Sequence, residues 1–336
     1  MNNAPFFIFG SKRGGTTLLR LMLNKNALLS IPPESHFFIP LLQYFSPEQQ
    51  LSVQQLSLAK EIIMGHPRFI TWGITAEKFD AIVQSLPVPC PVALLIDALF
   101  KEQIKKTGKP VWGEKTPEYT SIIPQITRLF PQAFFIVLSR DGRDVSMSLK
   151  EQGWEGWSIY QRAAYWKKCI KNTFFLKQQN ARAIFIKYED LVINTNETLH
   201  KITGLLGVPF EKEMLNFSED YASNLTELEL KSGVHTKLQR QPKAEDVYQW
   251  KTKLNKTDTW KFESICADEL TLLGYDVAFY NKSNLLHQLG KYGYIFAGRL
   301  TAMLYDGYHS IFSGRLKERL RKNSLYQKLR KYVRKW

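Results

Sequence analysis

Pro5-Phe-Phe-Ile-Phe-Gly-Ser-Lys-Arg-Gly-Gly-Thr-Thr17 is the stretch of sequence that decides the fold. It begins with an apolar run that ends at Gly10, which is typical of a buried parallel strand. Leucine and methionine residues then recur at helical spacing between positions 18 and 23. A strand, a glycine-rich turn and a helix in this order predict the first strand–loop–helix segment of an α/β fold.

Two later segments repeat this alternation of strand and helix. Ala133–Leu138 is an apolar strand followed by a turn and a helix, and Ala183–Lys187 is a strand that follows an aromatic helix over Trp157–Gln179. Strands that alternate with helices predict a parallel sheet covered by helices. We therefore expect a P-loop-like α/β domain over residues 1–276, followed by a basic, helical C-terminal extension over residues 277–336.

The glycine-rich turn has the composition of a phosphate cradle. Gly10, Gly14 and Gly15 allow backbone N–H groups to approach phosphate oxygens closely, and Thr16 and Thr17 add hydroxyl donors at the start of the helix. A glycine turn that merely joins a strand to a helix is the alternative. The strand before it and the apolar helix after it favour a phosphate site.

The turn differs from the loop of nucleoside triphosphatases. Gly10 and Gly15 have the spacing of the GxxxxGK[ST] signature, but Thr16 stands where that signature has lysine. The cationic side chains lie inside the loop instead, as Lys12 and Arg13. Loss of the lysine disfavours hydrolysis of ATP or GTP, and a nucleotide kinase remains as an alternative.

A second candidate anion site follows the strand at Ala133–Leu138. Arg140 comes directly after that strand, where open α/β sheets bind their ligands, and Ser148 lies eight residues later on the predicted helix. A guanidinium fork and a hydroxyl can together bind a phosphate. Taken alone, a turn such as Arg140–Asp144 is usually a solvated loop whose charges pair with one another.

Together, the two motifs resemble those of the sulfotransferases that use 3′-phosphoadenosine 5′-phosphosulfate (PAPS). In that family a [KR]SGTT loop holds the 5′-phosphosulfate, and here Arg13–Thr17 reads Arg-Gly-Gly-Thr-Thr, with Gly14 where serine is usual. The family's arginine and serine, eight residues apart, bind the 3′-phosphate and match Arg140 and Ser148. The resemblance therefore implies that Arg13, Gly14, Gly15, Thr16, Thr17, Arg140 and Ser148 bind PAPS.

Further segments extend the resemblance over about Pro5 to Asp276. Gly113–Pro117 and Lys187–Leu191 match the family, and the second of these segments implies that Tyr188 contacts the adenine. The family's third PAPS-binding segment is not matched, because the basic region of residues 239–251 has neither of its usual forms.

The nearest branch includes bacterial sulfotransferases and resembles tyrosylprotein sulfotransferases. It implies that Glu34 is the base, and that Lys115 and Arg13 stabilise the transferred group. His36 is the competing base, and an N-terminal cap of the following helix is the alternative role of Glu34.

The implied reaction is transfer of the sulfuryl group of PAPS to a hydroxyl or amine of an acceptor such as a glycan or a small metabolite. We expect no metal requirement, since no His, Cys and Asp cluster has the spacing of metal ligands. The non-enzymatic alternative is a peripheral membrane or nucleic-acid-binding protein with a degenerate nucleotide fold.

The net charge of the chain is +15, and it is concentrated at one end. Residues 281–336 contain 13 Lys and Arg against two acids, so they carry +11 and the rest of the chain carries +4. The tail therefore suits an anionic membrane surface, an acidic partner, or helices with a solvated basic face. Nucleic acid is disfavoured as a partner, because no DNA- or RNA-binding motif accompanies the charge.

The remaining sequence signals concern the compartment. The three cysteines are isolated from one another, which suits a reducing environment. The N-terminus has no charged segment followed by a long apolar stretch, so we expect no signal peptide. We expect a cytoplasmic protein, with peripheral attachment to a membrane as an extension of that expectation.

Overall fold

The computed structural model describes residues 4–218, 225–227, 230 and 236–311. The chain divides into two compact units. The first contains the described residues up to Ser139 together with those of Asn172–Ala244, and the second contains Arg140–Lys171 and the described residues from Glu245 onward. The predicted boundary between residues 276 and 277 stays a prediction.

A parallel sheet of five strands forms the centre of the first unit, among the residues that are described. The described residues form seven strands in all, which are β1 (Phe6–Phe9), β2 (Leu29–Ser30), β3 (Gln50–Leu51), β4 (Cys90–Pro91), β5 (Val111–Glu114), β6 (Phe134–Ser139) and β7 (Ala183–Lys187). The sheet has the order β2-β5-β1-β6-β7, whereas β3 and β4 form a separate antiparallel pair. Every pairing within the large sheet is parallel. The predicted parallel sheet is thereby confirmed.

The helices of the described residues complete the α/β pattern. In chain order they are α1 (Thr16–Asn24), α2 (Phe38–Tyr44), α3 (Val53–Met64), α4 (Ala76–Gln84), α5 (Val92–Ile104), α6 (Ile123–Leu129), α7 (Gly142–Gln152), α8 (Ile159–Gln178), α9 (Tyr188–Ile193), α10 (Thr195–Leu206), α11 (Trp250–Lys253), α12 (Lys256–Leu272) and α13 (Leu285–Ile311). Short 3₁₀ helices occupy Phe69–Trp72, Lys105–Thr107, Pro117–Ile122, Lys212–Asn216, Thr236–Gln239 and Ala244–Asp246. The predicted strand–turn–helix at the N-terminus is present as β1, the glycine-rich turn and α1.

Aromatic side chains build much of the core of the first unit. Phe7 of β1 packs on Phe135 of β6 with ring centroids 5.9 Å apart, and Phe100 of α5 stacks on Trp112 of β5 at 4.1 Å. Phe37 and Phe38 are fully buried in the same cluster. Such pairs contribute about 0.5–1.5 kcal/mol each beyond the burial of their area. The core therefore anchors the segment that leads into α2, which carries the candidate base Glu34.

Ion pairs organise the second unit around the turn that leads into α7. The guanidinium of Arg143 pairs with Asp141 and with Glu263 of α12, each at 2.7 Å, and lies 3.5 Å from the centre of the Trp250 ring. Glu263 also accepts hydrogen bonds from three backbone N–H groups at residues 278–280. The charges of this turn pair with one another, as one alternative expected, but Asp141 and Arg143 are buried rather than solvated.

Helix α13 confirms a helical region within the predicted C-terminal extension, over Leu285–Ile311. The sequence that follows also has an imperfect apolar stripe at roughly helical spacing, formed by Leu316, Leu320, Leu325, Leu329 and Val333, and this stripe lies outside the described residues. Among the helices of the part of the chain that the structure describes, none is both long enough and apolar enough to cross a membrane.

Candidate active site

Two glycines give the turn between β1 and α1 its shape. The N–H of Gly14 donates to the carbonyl of Ser11 at 2.9 Å, and a Cβ on Gly14 would lie 2.8 Å from that same oxygen. Gly15 has φ +95°, and a Cβ there would lie 2.2 Å from the ring of Tyr188. Any side chain at position 15 would therefore be strained twice, by its backbone conformation and by contact with Tyr188.

Backbone and side-chain donors meet at the first turn of α1. Gly15 precedes the helix and has no side chain that could cap it, so no N-cap side chain covers the N–H groups of the first turn. Thr16 and Thr17 begin the helix and are buried. Arg13, with φ +64°, is half-buried, and the ammonium of Lys12 pairs with Glu118 at 3.0 Å. This arrangement suits an anion at the positive end of the helix.

Lys115 links the turn to Glu34. Its side chain is wholly buried directly after β5, and its ammonium donates to the hydroxyl of Thr17 at 3.3 Å. The same ammonium pairs closely with Oε1 of Glu34. Residues that the sequence separates by 81 positions are therefore in direct contact.

The second oxygen of Glu34 faces two more nitrogen groups. Oε2 lies 2.9 Å from Nε2 of His36 and 3.7 Å from Nη1 of Arg68. The ring of His66 stacks on that of His36 with centroids 5.7 Å apart. Burial acts to raise the pKa of Glu34, but the charge of Lys115 and the hydrogen bonds from His36 and Lys115 outweigh it. The pKa of Glu34 is therefore held well below its ordinary value.

The position of Glu34 excludes the helix-capping role, which was the alternative to its role as a base. It does not cap the following helix, because α2 begins only at Phe38 and has no side-chain cap. An ionised carboxylate is in the correct state to accept a proton, but its low pKa makes it a weak base while Lys115 neutralises it. His36 lies beside the carboxylate and contacts it directly, so the two candidate bases belong to one cluster.

A second carboxyl group, that of Glu114, lies near Glu34 and Lys115 and was not singled out from the sequence. Burial raises the pKa of Glu114 to about 8, and the negative charge of the nearby Glu34 also raises it. The Thr116 hydroxyl, which donates a hydrogen bond to Glu114, acts to lower the pKa. In the same region the hydroxyls of Ser35 and Tyr119 lie 2.7 Å apart, and Tyr119 accepts the N–H of Phe38 at 2.9 Å. Glu114 is adjacent to Lys115 in the sequence, which was the available signal. Nothing in the sequence marked Ser35, Tyr119 or Arg68.

Arg140 and Ser148 belong to the second unit. Nη2 of Arg140 donates to the carbonyl of Asp246 at 3.3 Å and lies 3.6 Å from Oδ2 of Asp144. Ser148 is half-buried in the middle of α7. The phosphate-binding role of these two residues stays a prediction, as does the adenine contact of Tyr188, which begins α9 directly after β7.

One group of side chains has the composition of a metal site. Glu34, His36 and Glu118 each offer one ligand atom, and these atoms lie within 4.8 Å of one another. Lys115 already pairs with Glu34, and Lys12 pairs with Glu118. These cations oppose binding of a divalent metal ion by Coulomb repulsion. The absence of a metal requirement stays a prediction.

Comparison with known proteins places this chain. The model of the Sulfotransferase family matches residues 5–212, which is more than half of the chain. The chain belongs to the sulfotransferase family. The predicted membership of the sulfotransferase family is thereby confirmed.

Similar proteins include protein-tyrosine sulfotransferases. This sulfotransferase is 26% identical over 234 residues to a putative protein-tyrosine sulfotransferase of Caenorhabditis briggsae, covering 63% of this chain and 69% of that one. It is 25% identical over 222 residues to protein-tyrosine sulfotransferase 2 of Gallus gallus, covering 63% of this chain and 53% of that one. The chain thus spans between about half and about two thirds of the length of these relatives.

Two solved structures share the fold. The sulfotransferase domain from the Synechococcus PCC 7002 olefin synthase has a TM-score of 0.58 and 22% identity, covering 82% of this chain and 96% of that one. The sulfotransferase domain from the curacin biosynthetic pathway has a TM-score of 0.54 and 20% identity, covering 82% of this chain and 99% of that one. Both likenesses concern the fold.

Proposed function

We propose that this sulfotransferase uses PAPS as donor and transfers its sulfuryl group to an acceptor hydroxyl. The observation that carries the proposal is the wholly buried ammonium of Lys115, which bridges the Thr17 hydroxyl at the glycine-rich turn and the Glu34 carboxylate. A buried cation beside a helix N-terminus favours an anionic group, and an adjacent carboxylate can accept a proton.

The residues of the first unit fit the anionic end of such a donor. The N–H groups at the start of α1, the hydroxyls of Thr16 and Thr17, and the cations Arg13 and Lys115 are all donors. Gly14 and Gly15 have no side chains that could obstruct an anion at their positions in the turn. In the proposal Arg13, Gly14, Gly15, Thr16 and Thr17 bind the 5′-phosphosulfate.

Each reactive side chain has one task in the proposed reaction. When bound, PAPS supplies the sulfuryl group together with a phosphate leaving group. Glu34 accepts the proton of the acceptor hydroxyl on a carboxylate oxygen, so the acceptor oxygen becomes nucleophilic. Lys115 and Arg13 stabilise the negative charge that develops on the leaving oxygen. Loss of one such donor costs roughly 10²–10³ in rate.

The acceptor is proposed to be a hydroxyl, with an amine as the alternative group. Two of the similar proteins are named for sulfation of protein tyrosine, so a peptide tyrosine is the first acceptor to test. A glycan hydroxyl and the hydroxyl of a small metabolite are the other classes that the proposal includes.

Transfer of label from ³⁵S-PAPS tests the proposal. The purified chain is incubated with the labelled donor and, separately, a tyrosine peptide, an oligosaccharide and a small phenol, with EDTA present. We expect labelled product with at least one acceptor, and a loss of about 10²–10⁴ in turnover for Glu34→Gln. We expect a loss of about 10²–10³ for Lys115→Met.

Glu48→Gln is the matched control, because Glu48 is an exposed carboxylate paired with the exposed Arg128. It should keep the activity of the unaltered chain. The proposal fails if none of the acceptors is labelled, and the assignment of the base fails if Glu34→Gln turns over as fast as Glu48→Gln.

The predicted 3′-phosphate residues need a separate measurement. Arg140→Ala should weaken binding of adenosine 3′,5′-bisphosphate in calorimetry by about tenfold or more, since a charged hydrogen bond is worth roughly 1.5–3 kcal/mol. Unchanged affinity would show that Arg140 does not bind this phosphate.

A further inference from the structure

Helix α13 exposes a stripe of large apolar side chains. Its members are Leu285, Leu289, Tyr292, Phe296, Leu300 and Met303, which are between 53% and 75% exposed. At 3.6 residues per turn these positions fall within an arc of about 80° around the helix axis. The stripe runs for about 27 Å along the helix, at 1.5 Å per residue. We call it the apolar face of α13. An exposed patch of this kind marks a surface that binds something apolar.

The opposite side of α13 packs against other residues of the second unit. Gly298 packs so closely on Tyr160 that a Cβ there would lie 2.1 Å from the ring, and Tyr294 meets the same ring at 6.0 Å between centroids. Further along, Tyr305 packs on Trp157 at 5.2 Å. These contacts lie within the second unit and fix which side of the helix is inside. The apolar face therefore points outward because the inner side is committed to packing.

The sequence from α13 onward is strongly basic. Residues 285–311, which form α13, contain Lys291 and the exposed Arg299 against the single acid Asp306. Residues 312–336, which follow α13 in the sequence, contain ten Lys and Arg against the single acid Glu318. An outward apolar stripe accompanied by cationic residues is the pattern of a helix that lies in the interface of an anionic bilayer.

We propose that the apolar face of α13 docks on an anionic lipid surface, with its side chains among the acyl chains, and that the net positive charge of the sequence from α13 onward attracts it to the headgroups. A second copy of the chain would fit less well. It would bring together two chains whose sequences from α13 onward are strongly basic, and like charges repel. An anionic bilayer satisfies the apolar stripe and the positive charge together. The inference concerns membrane association, and it is independent of the proposed donor and acceptor.

Co-sedimentation of the full chain with large vesicles tests the proposal, without donor or acceptor present. One set of vesicles is pure phosphatidylcholine, and the other has seven parts phosphatidylcholine to three parts phosphatidylglycerol. We expect about tenfold or greater preference for the anionic vesicles, and a loss of binding of about tenfold when NaCl rises from about 0.05 M to about 0.5 M. The variant Leu289→Ser, Phe296→Ser, Met303→Ser should bind at least about 30-fold more weakly, about a factor of three for each apolar side chain removed.

The matched control removes exposed apolar side chains elsewhere. Val53→Ser, Ile70→Ser, Leu272→Ser changes side chains that are between 62% and 80% exposed and lie outside the apolar face. It should bind anionic vesicles like the unaltered chain, and circular dichroism should show both variants folded. Equal binding by the two variants, or equal binding to both kinds of vesicle, overturns the proposal. A dimer in sedimentation equilibrium that the apolar-face variant disperses, with no vesicle binding, would assign this face to a second copy instead.

Discussion

Replacement of Glu34 by glutamine should destabilise the protein by an amount that depends on pH. Lys115 is wholly buried and Glu34 is only 19% exposed, so their attraction is little screened by water. Removing one partner of a buried pair typically costs about 3–5 kcal/mol, because the other charge stays buried without compensation. We take the lower end, about 3 kcal/mol at pH 7, since Glu34 is partly exposed and glutamine keeps one carbonyl oxygen.

The pH dependence follows from the direction of the pKa shift. The pKa of Glu34 lies below its ordinary value of 4.5, so its contribution to stability is fully present above pH 4.5 and is lost as the pH falls further. At pH 3.5, one unit below that value, the chain has lost about 1.4 kcal/mol of this contribution. Glu34→Gln has no such group to lose. The difference between the two proteins should therefore shrink from about 3 to about 1.5 kcal/mol.

Equilibrium unfolding in urea at pH 7 and pH 3.5, followed by tryptophan fluorescence, measures this difference. Glu48→Gln removes a carboxylate whose pair with Arg128 is more than half exposed at both ends, so it should change the free energy of unfolding by less than about 0.5 kcal/mol at either pH. A second check is the double variant Glu34→Gln, Lys115→Met, which should be less destabilised than the sum of the two single variants. A constant difference between pH 7 and 3.5, or additive effects, would refute the coupling of Glu34 to Lys115.

Three further changes probe the turn, the carboxyl group below it and the second unit. Gly15→Ala should lower the free energy of unfolding by more than the roughly 1–2 kcal/mol expected for its φ alone, because its Cβ meets Tyr188; Gly108→Ala, with φ +66° and no neighbour within 4 Å, is the urea-unfolding control. The pKa of Glu114 is raised from 4.5 to about 8, so its contribution to stability is fully present below pH 4.5 and is lost as the pH rises through 8. Glu114→Gln should therefore flatten the decline in stability over this range, and an unchanged pH profile would contradict the assignment. Arg143→Met should cost about 3–5 kcal/mol in urea unfolding, since it leaves Asp141 and Glu263 buried without their cation; a cost below about 1 kcal/mol would exclude that role.

The fold was predictable from the sequence where the chain alternates between short apolar strands and helices. Strand β7 has the predicted bounds Ala183–Lys187, and β6 begins and ends one residue later than predicted. Strand β2 was not predicted, because two residues carry no readable periodicity and pair with β5 only through the folded sheet. The helical character of residues 285–311 was predictable, but the direction of the apolar face of α13 was not, because that depends on which side packs against Tyr160.

The residues of the candidate site were also predictable only in part. The turn at Arg13–Thr17 was singled out because its residues lie at the spacing of a phosphate-binding motif, whereas Glu34 and Lys115 were singled out from the family resemblance. Arg68 was missed because it reaches Glu34 through three-dimensional packing, across 34 positions of unremarkable sequence. Local patterns report phosphate loops well, whereas the neighbours that set a pKa are assembled from distant segments and leave no local trace.

The pairing of Glu34 with Lys115 has a consequence for the order of events under the proposed function. While the ammonium of Lys115 neutralises Glu34, the carboxylate is a weak base, and an acceptor hydroxyl that arrived first would keep its proton. An anionic group at the glycine-rich turn would compete with Glu34 for the same ammonium, since Lys115 also reaches the Thr17 hydroxyl there. That competition would weaken the pair and raise the pKa of Glu34 toward its ordinary value. The base would thus gain strength only when an anion occupies the turn, which couples proton removal to the presence of the donor.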